Sequence, residues 1–451
     1  MSIVERRVLR AEELKMRDAC VSQRHGAVLG VCFLAGVAML AGGGLPTVAA
    51  EQRRPAVKIE SVQKHSVNAF PKYGDGLDYT GEQCAFSLGR LFYCLHSLRQ
   101  SGQLCSYPLA GGPVKRLAIP QPKGFAPKYD FVSYFGDPAL WADSHGNLLL
   151  RWNIEGNGGH GLALLQKDSG AFVMTRCAMA LANSRAVVAA DGAWHLLVWN
   201  TKPPGSFELS VFRLDDKLTL APLGQYRGAG HHDIDILDAC FVSQDVLHVF
   251  YAEVTDGLSR ASGWPGWLRA IWAGVRGHAT DDGPSNYLRL HTVDFNVRQK
   301  SWSNEREIYR LDKFVSSASG PAVLSLEDKS RHYLWKVETN DRGAKDNGLY
   351  YQSTTGGKPQ KLSSSHDGFK AIAVGTRIVV CYTLESEPNK VIFRVIQDAT
   401  PGPVAAITIA GGRKSNVWGK YLQLGSGPDR VWFVNTLDIN TLYELRIVEA
   451  K

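Results

Sequence analysis

One two-strand unit recurs along the chain and constrains the fold more than any other feature. An apolar strand runs into a short turn of Gly, Asp or Ser, and a second apolar strand follows with an aromatic near its end. The clearest copies are PALWADSHGNLLLRWN from Pro138 and AVVAADGAWHLLVWN from Ala186. Further copies begin at Cys84, Leu237, Pro321, Ala371 and Tyr421. Matching positions at the end of the second strand are Leu95, Trp152, Trp199, Tyr251, Lys336, Tyr382 and Asn435, spaced 57, 47, 52, 85, 46 and 53 residues apart. The copies are followed by further strand-like segments, such as FELSVFRL then APLGQYR. Four short antiparallel strands every 40–50 residues are the mark of a β-propeller blade. The expected fold is therefore all-β, a seven-bladed propeller of four-stranded blades over 82–451, with six blades as the alternative.

The last copy ends one strand short, and an alternating segment, PAVKIESV at 55–62, stands unpaired before the first. A three-stranded blade would leave an open edge. The N-terminal strand within 51–81 is thus expected to complete the last blade. No stretch reads as a long amphipathic helix; the one tempting segment, Trp264–Val275, lies inside the long fourth repeat.

Residues 27–44 are apolar and uncharged, follow Arg17 and Arg24, and precede Val48 and Ala50 in the −3 and −1 positions. That order is a secretory signal, with Met16 as a more ordinary start, and cleavage after Ala50 leaves Glu51 first. A retained membrane anchor is the alternative, disfavoured by the Gly/Ala-rich end of the run. The expected location is secreted or periplasmic, with no stable anchor after cleavage. Export permits disulfides, and the cluster Cys84, Cys94 and Cys105 allows one bridge, Cys84–Cys94 or Cys94–Cys105. The net charge is +8, of which the first 50 residues supply +2. That is too weak a balance to argue for nucleic acid.

The phrase Asp137-Pro138-Ala139-Leu140-Trp141-Ala142-Asp143-Ser144-His145-Gly146-Asn147, followed by LLLRW, resembles the sialidase-like, BNR-type propellers of exported bacterial carbohydrate-active proteins. The resemblance implies a propeller that binds or cleaves glycans. The chain lacks a complete Asp-box, and its Asp/Gly turns fall between first and second strands rather than third and fourth.

In a propeller the loops from fourth to first strands and from second to third strands gather on one face around the channel. Here they carry Tyr129, Asp130, Tyr134 and Asp137; Glu155, Asn157 and His160; His231, His232, Asp233 and Asp235; Arg342 and Lys345; His366 and Asp367; and Arg413 and Lys414. His231, His232, His160 and Tyr134 are the candidate catalytic groups, because His and Tyr exchange protons near neutral pH. Asp235, Arg342 and Arg413 are candidate substrate contacts. An insertion over about 254–287 adds Trp264, Trp267 and Arg269; Trp stacks on sugar faces and Arg pairs with carboxylate or sulfate. An equally simple reading packs that insertion as a short helix on the propeller wall. No cofactor is called for; a divalent cation is compatible with the His/Asp cluster, whose spacing is no metal signature. The leading function is an exported propeller that binds an acidic glycan, with its cleavage by lyase or glycosidase chemistry left open. The alternative is a non-catalytic adhesion or envelope interaction platform.

Overall fold

The computed structural model describes residues 57–449, except 67–83, 120–135, 256–286, 410–421 and a set of shorter connections that includes 155–158, 228–232, 340–343, 365–367 and 436–440. All regular structure among the described residues is β-strand, arranged as seven antiparallel sheets. Five sheets take four consecutive strands in order: blade 1 over 84–118, blade 2 over 136–177, blade 3 over 184–227, blade 4 over 233–311 and blade 6 over 368–408. In blade 5, over 315–363, the first position is split between Val315–Ser317 and Ala322–Ser325, both paired with Arg331–Thr339. The seven positions picked out by the repeat all fall in second strands. The 85-residue spacing arises because blade 4 carries residues 256–286 between its second strand, Val246–Thr255, and its third, Tyr287–Asn296.

Blade 7 closes the ring as expected. Its strands Leu422–Ser426, Arg430–Asn435 and Thr441–Glu449 are completed by Val57–Ser66, which pairs antiparallel with Thr441–Glu449 as the outermost strand. His65 Nε2 lies 3.2 Å from Glu444 Oε2, and Arg430 donates to Glu444 Oε1 at 2.6 Å. The inner seam is equally close. Gly425 in blade 7 faces the Phe86 ring of blade 1, so near that a Cβ at Gly425 would come within 2.2 Å of it.

Strand periodicity explains the core. Alternate side chains of a strand point to opposite sheet faces, so each blade is apolar on both. In blade 4, Leu247, Val249 and Tyr251 pack toward blade 3, while Phe250 and Ala252 pack toward blade 5. One apolar cluster fills each of the seven gaps between neighbouring blades.

The same alternation corrects the disulfide expectation. Cys84, Cys94 and Cys105 are buried free thiols. Cys84 and Cys105 face blade 7 from either side of Tyr93, their common cross-strand partner. Cys94, one residue on, points the other way into the cluster shared with blade 2. Neither proposed pair shares a face, and Tyr93 stands between the two that do.

Candidate functional site

The loops that the sequence singles out lie mostly outside the described residues. Tyr134, His231, His232, Trp264, Trp267, Arg269, Arg342 and Arg413 all do. Asp235 belongs to the innermost strand of blade 4, Asp233–Phe241, where the pairing skips it in a bulge between Ile234 and Ile236. His160 is the second residue of the third strand of blade 2, Gly159–Leu165, and is 7% exposed. Its Nδ1 accepts the Leu181 backbone N–H at 3.1 Å, and Arg151 donates to the Leu181 carbonyl at 2.7 Å. Burial and the neighbouring Arg151 charge hold His160 below the usual imidazole range. The pair thereby ties the segment leading into blade 3 to blade 2. Lys345 is exposed, and its carbonyl accepts from Lys361 Nζ.

The Asp/Gly turns are also structural. Asp143 Oδ1 accepts the backbone N–H groups of His145 and Asn147 at 2.9 and 2.8 Å, and its Oδ2 takes the Asn147 amide at 2.7 Å. Asp215 and Asp328 cap their turns in the same manner. These side chains stand in for the backbone partners that a tight turn lacks.

A different group of residues lines a cleft of about 520 Å³ between blades 4 and 5. It opens at the end of the propeller that carries the turns between first and second and between third and fourth strands. His248 is the third residue of the second strand of blade 4, and it pairs directly across from Asp294 in the third strand. Arg331 and Tyr333 begin the second strand of blade 5, Arg331–Thr339. His248 and Tyr333, 85 residues apart in sequence, meet because both face the gap between the blades.

The hydrogen bonds in this cleft form one connected set. Asp294 Oδ1 lies 2.5 Å from His248 Nδ1, and His248 Nε2 lies 3.0 Å from the Tyr333 hydroxyl. Asn304 donates to Asp294 Oδ2 at 2.9 Å. Arg331 Nη1 sits 3.7 Å from the same carboxylate. Asn304 reaches inward because the outer strand of blade 4 breaks register there and Asn304 adopts φ 54°. Bulges re-aim side chains in this way, and Asn tolerates the left-handed region better than most residues. The Phe250 ring packs edge-on against Tyr333 with centroids 5.1 Å apart, which fixes the phenol's direction.

Electrostatics follow from enclosure. Burial pushes the Tyr333 phenol up to about 12, partly opposed by the Arg331 charge, so it carries its proton at neutral pH. Burial also works to raise Asp294, but the hydrogen bonds from His248 and Asn304 and the Arg331 charge prevail, and its carboxyl lies below the usual range. Arg331 and Arg306 add two positive charges to the lining, and Asp294 is its one carboxylate among the described residues. The cleft thus joins a proton-transfer pair to a cationic wall. Among the described residues no group of three or more His, Cys, Asp or Glu is arranged to hold a metal ion.

No protein-family model and no curated sequence matches the chain. Solved structures do. The polysaccharide lyase Uly1 is 10% identical, with a TM-score of 0.53 over 87% of this chain and 100% of that one. An ulvan lyase bound to GlcA(1-4)Rha3S is 12% identical, with a TM-score of 0.46 over 86% of this chain and 96% of that one. An α-L-arabinanase of Penicillium chrysogenum complexed with arabinobiose is 10% identical, with a TM-score of 0.43 over 70% of this chain and 93% of that one. The resemblance to sialidase-like propellers narrows accordingly: what the likeness to Uly1 shows for this chain is its fold.

Proposed function

We propose that the protein is an exported propeller that binds an acidic polysaccharide and cleaves it by β-elimination in the cleft between blades 4 and 5. The observation that supports this reading is the meeting of His248 and Tyr333 with Arg331 and Arg306 at one opening. Elimination from a uronate needs a base for the proton beside the carboxylate and a cation for the charge that develops there. A hydrolase would instead need two facing carboxylates, whereas among the described residues this cleft offers Asp294 alone, already engaged by His248 and Asn304. That the polysaccharide lyase Uly1 has a similar fold agrees with a glycan ligand at a coarse level. On the reading of residues 1–50 as a cleaved signal, the mature chain begins near Glu51, which N-terminal sequencing of the exported fraction checks.

The test is a screen of uronate-containing and sulfated polysaccharides, following unsaturated-uronate absorbance and reducing ends together. Both signals should rise with the wild-type protein. Tyr333→Phe and His248→Ala should each cut turnover by about 10²–10⁴-fold, the usual worth of a positioned acid or base. Reducing ends without absorbance would make the protein a hydrolase, and binding with neither would favour the interaction platform. Loss of activity in His231→Ala and His232→Ala, with Tyr333→Phe unaffected, would move the site to the opposite face.

A further inference from the structure

We infer that Asp294, His248 and Tyr333 form a directional proton relay, in which Tyr333 meets the substrate, His248 stores the proton behind it and Asp294 is the positioning residue. The inference rests on the elimination reading above and assigns each group its part. Its starting point is the charge state of Asp294. An ionised carboxylate only accepts hydrogen bonds, so the 2.5 Å contact requires His248 to donate from Nδ1. Asn304 donates to the other carboxylate oxygen, so Asp294 is held from two sides. Arg331 Nη1 is 3.1 Å from the same imidazole nitrogen, but that nitrogen already gives its proton to the carboxylate, whose charge is what keeps the guanidinium nearby.

In the ring's neutral form the lone pair is then on Nε2, the nitrogen 3.0 Å from the Tyr333 hydroxyl. Tyr333 therefore donates inward to His248 and keeps its own lone pairs for a ligand. His248 is 2% exposed, with Asp294 on one ring nitrogen and Tyr333 on the other. Tyr333 is itself 4% exposed and lines the cleft beside His248; with both imidazole nitrogens engaged, the phenolic oxygen is the atom of the pair left for a sugar.

The step balances as follows. The phenolic oxygen takes the proton on the carbon beside the uronate carboxylate as its own proton passes to Nε2. The electron pair of the broken C–H bond forms the new C=C bond, and the C–O bond to the leaving sugar breaks. The leaving alkoxide takes a proton from solvent water, and the imidazolium later returns its proton to the hydroxide so formed. Asp294 faces the imidazolium at the moment it carries charge, which is the task of an orienting carboxylate behind a histidine.

Histidine-selective ¹⁵N labelling of the mature protein tests the arrangement, with His248→Gln to assign the signal. In its neutral form the His248 ring should carry its proton on Nδ1 and show a bare Nε2. Tyr333→Phe should shift Nε2 while Nδ1 stays protonated, because only the phenol's hydrogen bond is lost. A proton on Nε2 in the wild type, or an Nε2 signal indifferent to Tyr333→Phe, overturns the relay. None of these readings needs turnover, so a failed polysaccharide screen beside the expected tautomer would sink the glycan reading and leave the relay in place. With a substrate in hand, Asp294→Asn should lower kcat about a hundredfold or more with KM little changed. An equal loss confined to KM would show Asp294 to be merely part of the binding wall.

Discussion

His160, His195 and His332 are almost wholly enclosed, and burial holds each imidazole below its usual value, with Asp328 opposing the effect at His332. The unfolded chain therefore takes up these protons first as pH falls. Their contribution to stability is whole above about pH 6.5 and is lost on acidification below it. The urea midpoint should fall between pH 7 and pH 5, before carboxylates titrate, and a midpoint that rises over that window would contradict the assignment. Asp294 acts in the same sense lower down: its depressed carboxyl adds stability above about pH 4 that is lost as pH drops further. Asp294→Asn should remove that part of the acid sensitivity, read as a flatter stability curve below pH 4. Gly161 lies under the Trp152 indole of the paired strand, and a Cβ would come within 2.1 Å of it. Gly161→Ala should cost about 1–3 kcal/mol by overpacking, measured by denaturant unfolding. The cleft residues were hard to see in the sequence because they sit in strands, not loops. The usable signal was a polar residue where the alternation wants an apolar one, in two strands that pair: His248 within VLHVFY and Asp294 within TVDFN. Tyr333 gave no such signal, since an aromatic in that position reads as core.

At the scale of strands, the sequence pattern carried much further. Paired apolar segments with a Gly or Asp turn are local, so their number and spacing could be counted directly, and the seven second strands stand where the repeat puts them. The fate of the N-terminal strand followed from the unpaired edge. Which way each cysteine points did not, because spacing alone says nothing of the face. All six thiols of the described residues should alkylate without reductant once the protein is unfolded, and the melting temperature should not change with added reductant; a mass shift showing any bridge among them would refute this. Deleting the chain through Ser66 should uncover the Thr441–Glu449 edge. The outer strand is mostly exposed, so the loss falls on ladder hydrogen bonds more than on core. At about 0.5–1.5 kcal/mol for each bond, the deletion should cost on the order of several kcal/mol and promote association through the bare edge. An unchanged thermal transition and a monomeric truncation would show the closure to be dispensable.

For the whole molecule, the net charge of +8 falls to +6 without residues 1–50, so attraction for an acidic ligand is local to Arg306 and Arg331 in the cleft rather than a field of the whole protein. Binding to an acidic polysaccharide should weaken steeply as ionic strength rises, since the Debye length shrinks from about 30 Å at 0.01 M to about 8 Å at 0.15 M. Affinity that is flat with salt would show that the arginines of the cleft do not meet the ligand's charge. The closure of blade 7 also sets an order in time. Synthesis makes Val57–Ser66 before any other strand of the ring, and its partner Thr441–Glu449 after all the rest. Six blades can assemble from neighbours as they emerge, but the first strand must wait, unpaired, for the whole chain to arrive. Long-range pairing of this kind folds slowly. Until the last strand is delivered, the nascent protein is an open arc with two sticky ends, and any chaperone that serves it must shield the beginning of the chain until its end appears.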